Sequence, residues 1–114
     1  MNIKRGEIYL ATLDPVVGKE ISKTRPVVIV SNEKNNEFSG TVTILPITSK
    51  NLERIYPFEV LLAKGSGNLP KDSKVKADQI RILDKARIVK LIGKLRKHEI
   101  DGIDGAMKLH LALR

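Results

Sequence analysis

The chain has 114 residues, 41% of them hydrophobic and 30% charged, and carries a net charge of +8. This length suits one domain with a small core, and the composition is that of a soluble globular protein. The chain contains no cysteine, which excludes disulfides and thiol chemistry. Its amino-terminal segment lacks an apolar signal region, and no apolar run approaches the ~20 residues that span a bilayer. We expect one domain over residues 1–114, located in the cytoplasm and without membrane contact.

The positive charge is concentrated in the second half of the chain. Residues 1–57 hold 8 Lys and Arg against 6 Asp and Glu, a net charge of +2, whereas residues 58–114 hold 13 against 7, a net charge of +6. A polyanionic partner, either nucleic acid or an acidic protein segment, would fit this charge, and a solvated basic surface would fit it equally well. The few aromatic residues argue against a broad stacking platform for single strands. They are Tyr9, Phe38, Tyr56 and Phe58.

The first elements are a strand, a long loop and a strongly apolar strand. A strand is predicted at residues 6–13, and the ten residues 14–23 form a loop, a length that is often functional in small domains. Val27 to Val30 are all β-branched and predict a strand buried on both faces. Pro26 has a fixed φ and no N–H, so it marks the beginning of this strand and places Arg25 on a rigid base outside the core.

Short strands and polar turns continue along the chain. Residues 33–40 predict a polar turn, and residues 41–48 predict a third strand in which Pro46 indicates a bend or an edge position. A second polar loop is predicted at residues 49–57. The remaining predicted elements are a strand at 58–63, a turn region at 65–72, a strand at 75–80, a helical turn at 84–87 and a strand at 88–95.

The last segment, from Lys97 onward, is predicted to be a helix, because Ile100, Ile103, Met107 and Leu111 recur at helical spacing. Short strands with one terminal helix indicate a mainly β fold, either a small and strongly bent sheet or a barrel. The apolar face of the helix has to be covered, and part of it would serve a dimer.

Three motifs, in order along about residues 5–95, resemble the MazF/PemK toxin family. The first consists of Gly6–Leu10, Asp14-Pro15, Gly18, Glu20 and Thr24–Asn32, the second of Thr43–Ser49, and the third of Ser73, Val75, Ala77–Arg81 and Leu83–Lys85. Each motif alone is weak, but three in register are strongly specific. Lys19 and Ile21 depart from the small polar residue and the glutamine that many members have there, which bears on substrate preference.

The resemblance implies the toxin of a type II toxin–antitoxin pair, with a small SH3-like barrel and a homodimer. It implies a metal-independent endoribonuclease without a cofactor, which cleaves single-stranded mRNA, rRNA or tRNA at specific sequences and inhibits translation and growth. It also implies a cognate acidic antitoxin as protein partner, and operator DNA contacted through the toxin–antitoxin complex.

RNA cleavage requires no metal where cationic donors stabilise the phosphoryl charge, because the 2′-OH of RNA supplies the nucleophile. Arg25 is the main candidate donor, since a rigidly mounted guanidinium suits forked phosphate contact; an ion pair at a strand start is the structural alternative. The resemblance makes Thr48 the second catalytic candidate, with an ordinary strand-end threonine as the alternative. Glu20 would orient Arg25 or act as general base, and a solvated loop carboxylate is the alternative.

RNA contacts are expected from further polar residues, for which structural hydrogen bonding is the alternative role. These candidates are Lys19, Thr24, Asn32, Ser49, Gln79 and Arg81. The sequence has no cluster of His, Cys and carboxylates at metal-ligand spacing, so we expect no metal site. His98 and His110 could serve a two-histidine mechanism, but helix-face histidines are more often structural.

Three other functions stay open on the sequence alone. The chain could be a non-catalytic SH3-like module that binds RNA or DNA, which the residues around Arg25 and Thr48 argue against. It could be a toxin on the same barrel that poisons gyrase, or a basic domain that associates with ribosomes. RNA cleavage, DNA supercoiling and co-sedimentation with ribosomes distinguish these functions.

Overall fold

Seven strands and two helices make up most of residues 2–21 and 23–114, the part of the chain that the computed structural model describes. The strands are β1 (Glu7–Thr12), β2 (Thr24–Ile29), β3 (Thr41–Thr48), β4 (Glu59–Leu62), β5 (Ser73–Lys76), β6 (Arg81–Asp84) and β7 (Ile88–Lys94). The helices are α1 (Glu33–Phe38) and α2 (Lys97–His110), and short 3-10 turns lie at Ser66–Asn68, Ala77–Gln79 and Lys85–Arg87. The prediction of a mainly β fold with a C-terminal helix is confirmed.

The central strand of the sheet is β3. The strands pair antiparallel in the order β4-β5-β3-β2-β1-β7, and β6 pairs with residues 41–44 of β3. Beyond them, Ile47 and Thr48 pair with β5, while the other edge of β3 pairs with β2. No pairing in the described part of the chain joins β4 to β7, so the predicted barrel is bent but not fully closed.

The apolar strand β2 is buried on both faces, as its β-branched sequence predicts. Val27 and Ile29 belong to one core cluster, and Val28 belongs to the other, on the opposite face of the sheet. All three are almost completely buried. Because side chains alternate between the two faces of a strand, this arrangement requires apolar residues at consecutive positions. The strand therefore holds the backbone that follows Arg25 in a fixed position.

The prediction of a polar turn at residues 33–40 is wrong, because this segment contains α1. Asn32 caps the helix by accepting the N–H of Asn35 (2.8 Å). The buried Asn36 donates from Nδ2 to the carbonyl of Ser31 (2.9 Å). Polar contacts and a cap, rather than apolar spacing, hold this short helix, so the hydrophobic pattern gives no signal for it.

Two further strand predictions are corrected. The strand predicted at 75–80 is the end of β5 followed by a 3-10 turn, and β6 begins only at Arg81. For Pro46, of the two predicted alternatives, the edge position is wrong, because the residue lies in the central strand; the bend stays a prediction. β3 accommodates this proline at the point where it changes partner from β6 to β5, because a missing N–H is least costly there.

The predicted C-terminal helix is confirmed as α2. Ile103 is buried, and Ile100 and Met107 pack against the core cluster that contains Val28, so most of the predicted apolar face is covered within the chain. The exposed leucines of this region lie at its end, at Leu109, Leu111 and Leu113. Among the residues described here, no helix has the length and hydropathy needed to cross a membrane.

The backbone of Gly67 lies so close to Gly93 that a side chain at Gly93 should destabilise the fold. A Cβ atom at this position of β7 would lie 2.2 Å from the carbonyl oxygen of Gly67. Backbone atoms cannot move aside as a flexible side chain can. Gly93→Ala should therefore lower the free energy of unfolding by about 1–3 kcal/mol, the usual cost of overpacking. Urea unfolding followed by circular dichroism measures this change.

Gly105→Ala is the matched control. Gly105 is exposed within α2, and a Cβ atom there would meet nothing within 4 Å. Alanine should raise the free energy of unfolding by about 0.4–1 kcal/mol, since it restricts the unfolded chain. Equal unfolding midpoints for the two variants would contradict the close packing of β7 on the 3-10 turn.

Candidate active site

A cleft of about 480 Å³ lies where β2 begins and β3 ends. Its walls come from the loop before β2, the segment after β3, strand β5 and the 3-10 turn that follows β5. Lysines and arginines outnumber carboxylates in the lining by five to two, so the cleft suits an anionic ligand. The lining residues are Lys19, Glu20, Ile21, Arg25, Thr48, Lys50, Asn51, Lys74, Lys76, Asp78 and Gln79.

The strand register aligns Arg25 and Thr48 in this cleft. β2 and β3 pair with Val27 opposite Pro46, and the same register continued by two residues puts Arg25 opposite Thr48. Thr48 is in turn paired with Lys74 of β5. Side chains directly opposite each other in antiparallel strands lie on one face, with Cβ atoms about 4.5–5.5 Å apart. Continued beyond its last pair, the register therefore places Arg25 on the same face as the paired Thr48 and Lys74.

Arg25 lies on a well-supported segment of backbone. It pairs with Ala11 of β1, and the next residue, Pro26, pairs with Leu10. The half-buried Arg25 also borders a smaller neighbouring pocket that Ser49 helps to line. Its guanidinium carries five N–H donors in a planar fork, which matches the oxygens of a phosphate group.

Thr48 is a buried hydroxyl at the end of β3. Its Oγ1 accepts the backbone N–H of Lys50 at 3.1 Å. A hydroxyl that accepts one hydrogen bond can still donate its own proton, so Thr48 can donate to an anion in the cleft. The bond also places Lys50 at the lining of the cleft, directly after the strand.

The loop before β2 brings Glu20 and Lys19 to the cleft. The Oε1 atom of Glu20 accepts the N–H of Val17 at 2.6 Å, which orients the carboxylate. Gln79 holds the same loop from the opposite side: its Nε2 donates to the carbonyl of Lys19 (3.1 Å), and its Oε1 accepts the N–H of Ile21 (2.9 Å). Gln79 therefore positions the loop with both ends of its amide group.

The other predicted RNA contacts lie beside or away from the cleft. Ser49 lines the neighbouring pocket, and Arg81 lines a second adjacent cavity while it donates to the carbonyl of Leu13 (3.2 Å). Thr24 is exposed in β2, and Asn32 caps α1; neither is among the lining residues. The structure thus brings together five of the nine predicted site residues, namely Lys19, Glu20, Arg25, Thr48 and Gln79.

Sequence reasoning missed several residues of the lining. Lys74 and Lys76 alternate along β5 and therefore share one face, a pattern that the sequence contains. The strand predicted there begins at Val75, one residue after Lys74, so the prediction does not contain the pair. Lys50, Asn51 and Asp78 lie in the segments just after β3 and β5, where the sequence has no distinctive pattern.

A buried carboxylate supports this lysine pair. The Glu59 side chain is 0% exposed and accepts hydrogen bonds from Lys74 Nζ (3.1 Å), Lys76 Nζ (2.6 Å) and the N–H of Tyr56 (3.0 Å). Burial alone would raise the pKa of Glu59, but the hydrogen bonds from Lys76, Tyr56 and Lys74 outweigh it and hold the pKa below its ordinary value. Glu59 is therefore ionised at neutral pH and keeps both ammonium groups in place.

The two histidines lie outside the cleft. His98 lines a pocket between α2 and the segment around β4, and the ring of His110 lies 6.4 Å from that of Phe58. A two-histidine mechanism in this cleft is therefore not supported. Within residues 2–21 and 23–114, no three His, Cys, Asp or Glu side chains converge as metal ligands would.

Comparison with known proteins identifies the family. Residues 4–111 match the model of PemK-like, MazF-like toxins of type II toxin–antitoxin systems. The endoribonuclease MazF9 of Mycobacterium tuberculosis is 40% identical over 116 aligned positions, which cover 97% of this chain and 98% of the relative. MazF from Deinococcus radiodurans shares the fold, with a TM-score of 0.85 at 24% identity over 99% of both chains.

A third relative is an endoribonuclease from Mycobacterial species, solved in complex with its cognate antitoxin. It superposes with a TM-score of 0.78 at 22% identity over 99% of this chain and 96% of its own. As the three sequence motifs predict, the chain belongs to the family of PemK-like, MazF-like toxins of type II toxin–antitoxin systems.

Proposed function

We propose that the cleft around Arg25 and Thr48 is where this toxin cleaves single-stranded RNA at specific sequences, without a metal ion. The toxin is an endoribonuclease, a class supported by its family and by a relative that is 40% identical over nearly the whole of both chains. The observation that carries the assignment is the register of β2 and β3, which aligns Arg25 with Thr48 inside a positively charged cleft. RNA cleavage in the cytoplasm would inhibit translation and growth.

The proposed reaction uses the 2′-OH of the RNA as nucleophile. Its oxygen attacks the adjacent phosphorus, and the bond from phosphorus to the 5′-oxygen breaks. The products are a 2′,3′-cyclic phosphate, or the 3′-phosphate after hydrolysis, and a 5′-OH. The forked N–H donors of Arg25 and the O–H of Thr48 stabilise the charge on the phosphoryl oxygens.

We assign removal of the 2′-OH proton to Glu20, the carboxylate of the cleft that the loop before β2 supplies, and the leaving 5′-oxygen takes up a proton from water. Its bond to the Val17 N–H leaves one carboxylate oxygen for the 2′-OH or for the Arg25 guanidinium. Lys19 would contact the RNA backbone on the same side, and Ser49 and Arg81 would contact it from the two adjacent cavities. RNA contacts by Thr24, Asn32 and Gln79 stay predictions of the sequence.

Substitution of the two central residues tests the active site. Arg25→Ala should slow cleavage about 100- to 1,000-fold, the usual cost of removing one transition-state donor. Arg25→Lys should restore little, since an ammonium cannot make the forked contact. Thr48→Ala should cost less, and Thr48→Ser should keep most activity because the hydroxyl remains. The measurement is single-turnover cleavage of a labelled RNA with one mapped site.

Circular dichroism serves as the folding control for these variants. The 5′ product should carry a cyclic or 3′-phosphate end, and EDTA should leave the rate unchanged. A folded Arg25→Ala protein that cleaves at the wild-type rate would remove Arg25 from the mechanism. Inhibition by EDTA would overturn the metal-free reaction, and a wild-type protein that binds RNA without cutting it would favour the non-catalytic binding module.

We propose a homodimer as the working assembly. The exposed leucines at the end of α2, Leu109, Leu111 and Leu113, form an apolar surface that a second copy would cover. Light scattering at micromolar concentration should give about twice 12.7 kDa. Leu111→Lys should shift the mass towards the monomer. A monomer at every concentration would exclude the dimer.

We propose an acidic antitoxin segment as the protein partner, with operator DNA contacted through the complex. The net charge of +8 and the lysine-rich cleft would attract such a segment, and a mycobacterial relative is solved with its antitoxin. The antitoxin should inhibit RNA cleavage competitively and bind more weakly as salt rises. Titration of the antitoxin into the cleavage assay checks this. Tight binding without inhibition would show that it docks elsewhere.

A further inference from the structure

The ammonium groups of Lys74 and Lys76 in β5 differ in how many of their N–H donors are hydrogen-bonded within the protein. Lys74 is 5% exposed, and its Nζ donates to the carbonyls of Asn51 (2.9 Å) and Arg54 (3.2 Å) and to Glu59 (3.1 Å). An ammonium group has three donors, so all of those of Lys74 are engaged within the protein. Lys74 therefore positions the loop after β3 and is not placed to bind a ligand.

Lys76 has donors left over. It is 19% exposed, and within the described residues 2–21 and 23–114 its Nζ donates one hydrogen bond, to Glu59 (2.6 Å). The nearest oxygen of Asp78 is 3.8 Å from its Nζ, beyond hydrogen-bonding distance. The remaining N–H groups of Lys76 are available on the side of the cleft that the residue lines.

The charges of Glu59, Lys74 and Lys76 also favour Lys76 as the residue that binds an anionic ligand. Glu59 carries one negative charge and is completely enclosed, while Lys74 and Lys76 carry one positive charge each. Lys74 offsets the carboxylate, so the positive charge of these three groups is presented at Lys76, which also forms a longer ion pair with the partly exposed Asp78 at 3.8 Å. Without Lys74, the 2.6 Å bond to Glu59 would neutralise Lys76.

The strand register gives the distance between Lys76 and Thr48. Thr48 is directly opposite Lys74, so Lys76 is its diagonal neighbour on the same face, at about 7–8 Å between backbone positions. A single-stranded RNA that places one phosphate on Arg25 and Thr48 can bring a neighbouring phosphate to Lys76.

We propose that Lys76 binds the phosphate next to the scissile one, and that Lys74 and Glu59 are positioning residues that keep its charge available. This inference rests on the proposed cleavage of RNA in the cleft. It adds a second phosphate subsite on the β5 wall, which the three family motifs of the sequence do not include. The subsite would fix the position of the RNA along the cleft, and Lys76 would take no part in the proton transfer.

The test separates RNA binding from cleavage. Binding is measured with an RNA that carries a 2′-O-methyl group at the cut site, over a series of salt concentrations. Each phosphate contact to single-stranded RNA contributes about 0.7 to the slope of log affinity against log salt. Lys76→Gln should lower affinity about 5- to 10-fold at low salt and reduce that slope by about 0.7. It should stay folded, because Glu59 keeps Lys74 as partner.

Lys90→Gln is the matched control, since Lys90 is exposed on β7, at the opposite end of the strand order from β5. It should leave affinity and slope unchanged. Lys74→Met should reduce the slope as Lys76→Gln does, and adding Glu59→Gln should restore it, because the Glu59 carboxylate then no longer neutralises Lys76. Loss of packing alone would not be repaired by a second substitution in the same network.

The outcomes distinguish the two proposals. If wild-type protein does not cleave the matched unmodified RNA, the proposed function fails, whatever the variants do. If the wild type cleaves but Lys76→Gln keeps the affinity and slope of Lys90→Gln, the phosphate subsite is excluded and the proposed function stands. If Lys74→Met does not fold, the affinity and salt slope of Lys76→Gln alone decide whether the phosphate subsite exists.

Discussion

The pairing register of β3 with β2 and β5 is the constraint on which the site depends. The register that pairs Val27 with Pro46, continued by two residues, brings Arg25 opposite Thr48, and Thr48 pairs with Lys74 of β5. A shift of one residue would turn every side chain of the shifted strand to the other face. The apolar residues on both faces of β2 prevent such a shift, since it would exchange the two core clusters. The core thereby determines the geometry of the cleft.

A second constraint is the enclosed carboxylate of Glu59. Breaking a buried ion pair typically costs about 3–5 kcal/mol, because the remaining charge has no partner. The pKa of Glu59 is lowered in the folded protein, so its contribution to stability is complete above the pKa of the unfolded chain. That contribution is lost as the pH falls through the lowered pKa. At neutral pH the network is therefore intact, and β4, β5 and the loop after β3 are joined at one point.

The sequence predicts those elements that depend on residues close together in the chain. Val27 to Val30 predict a doubly buried strand, and the spacing of Ile100, Ile103 and Met107 predicts α2. The approach of Arg25 to Thr48 brings together residues far apart in the chain, so only the resemblance to a family singles out the two together. The helix α1 depends on a cap and on a buried Asn36, and the role of Lys74 depends on Glu59, which no periodicity reveals.

The cleft combines residues on strands with loops whose backbone is held by side chains of neighbouring elements. Arg25 and Thr48 lie on strands, whereas the loop before β2 is held by Gln79 and the loop after β3 by Lys74. Such an arrangement lets the loops change in sequence while Arg25 and Thr48 keep their positions, because the anchors bond mainly to loop backbone and not to loop side chains. Lys19 and Ile21 illustrate the point, because Gln79 binds their backbone atoms and not their side chains.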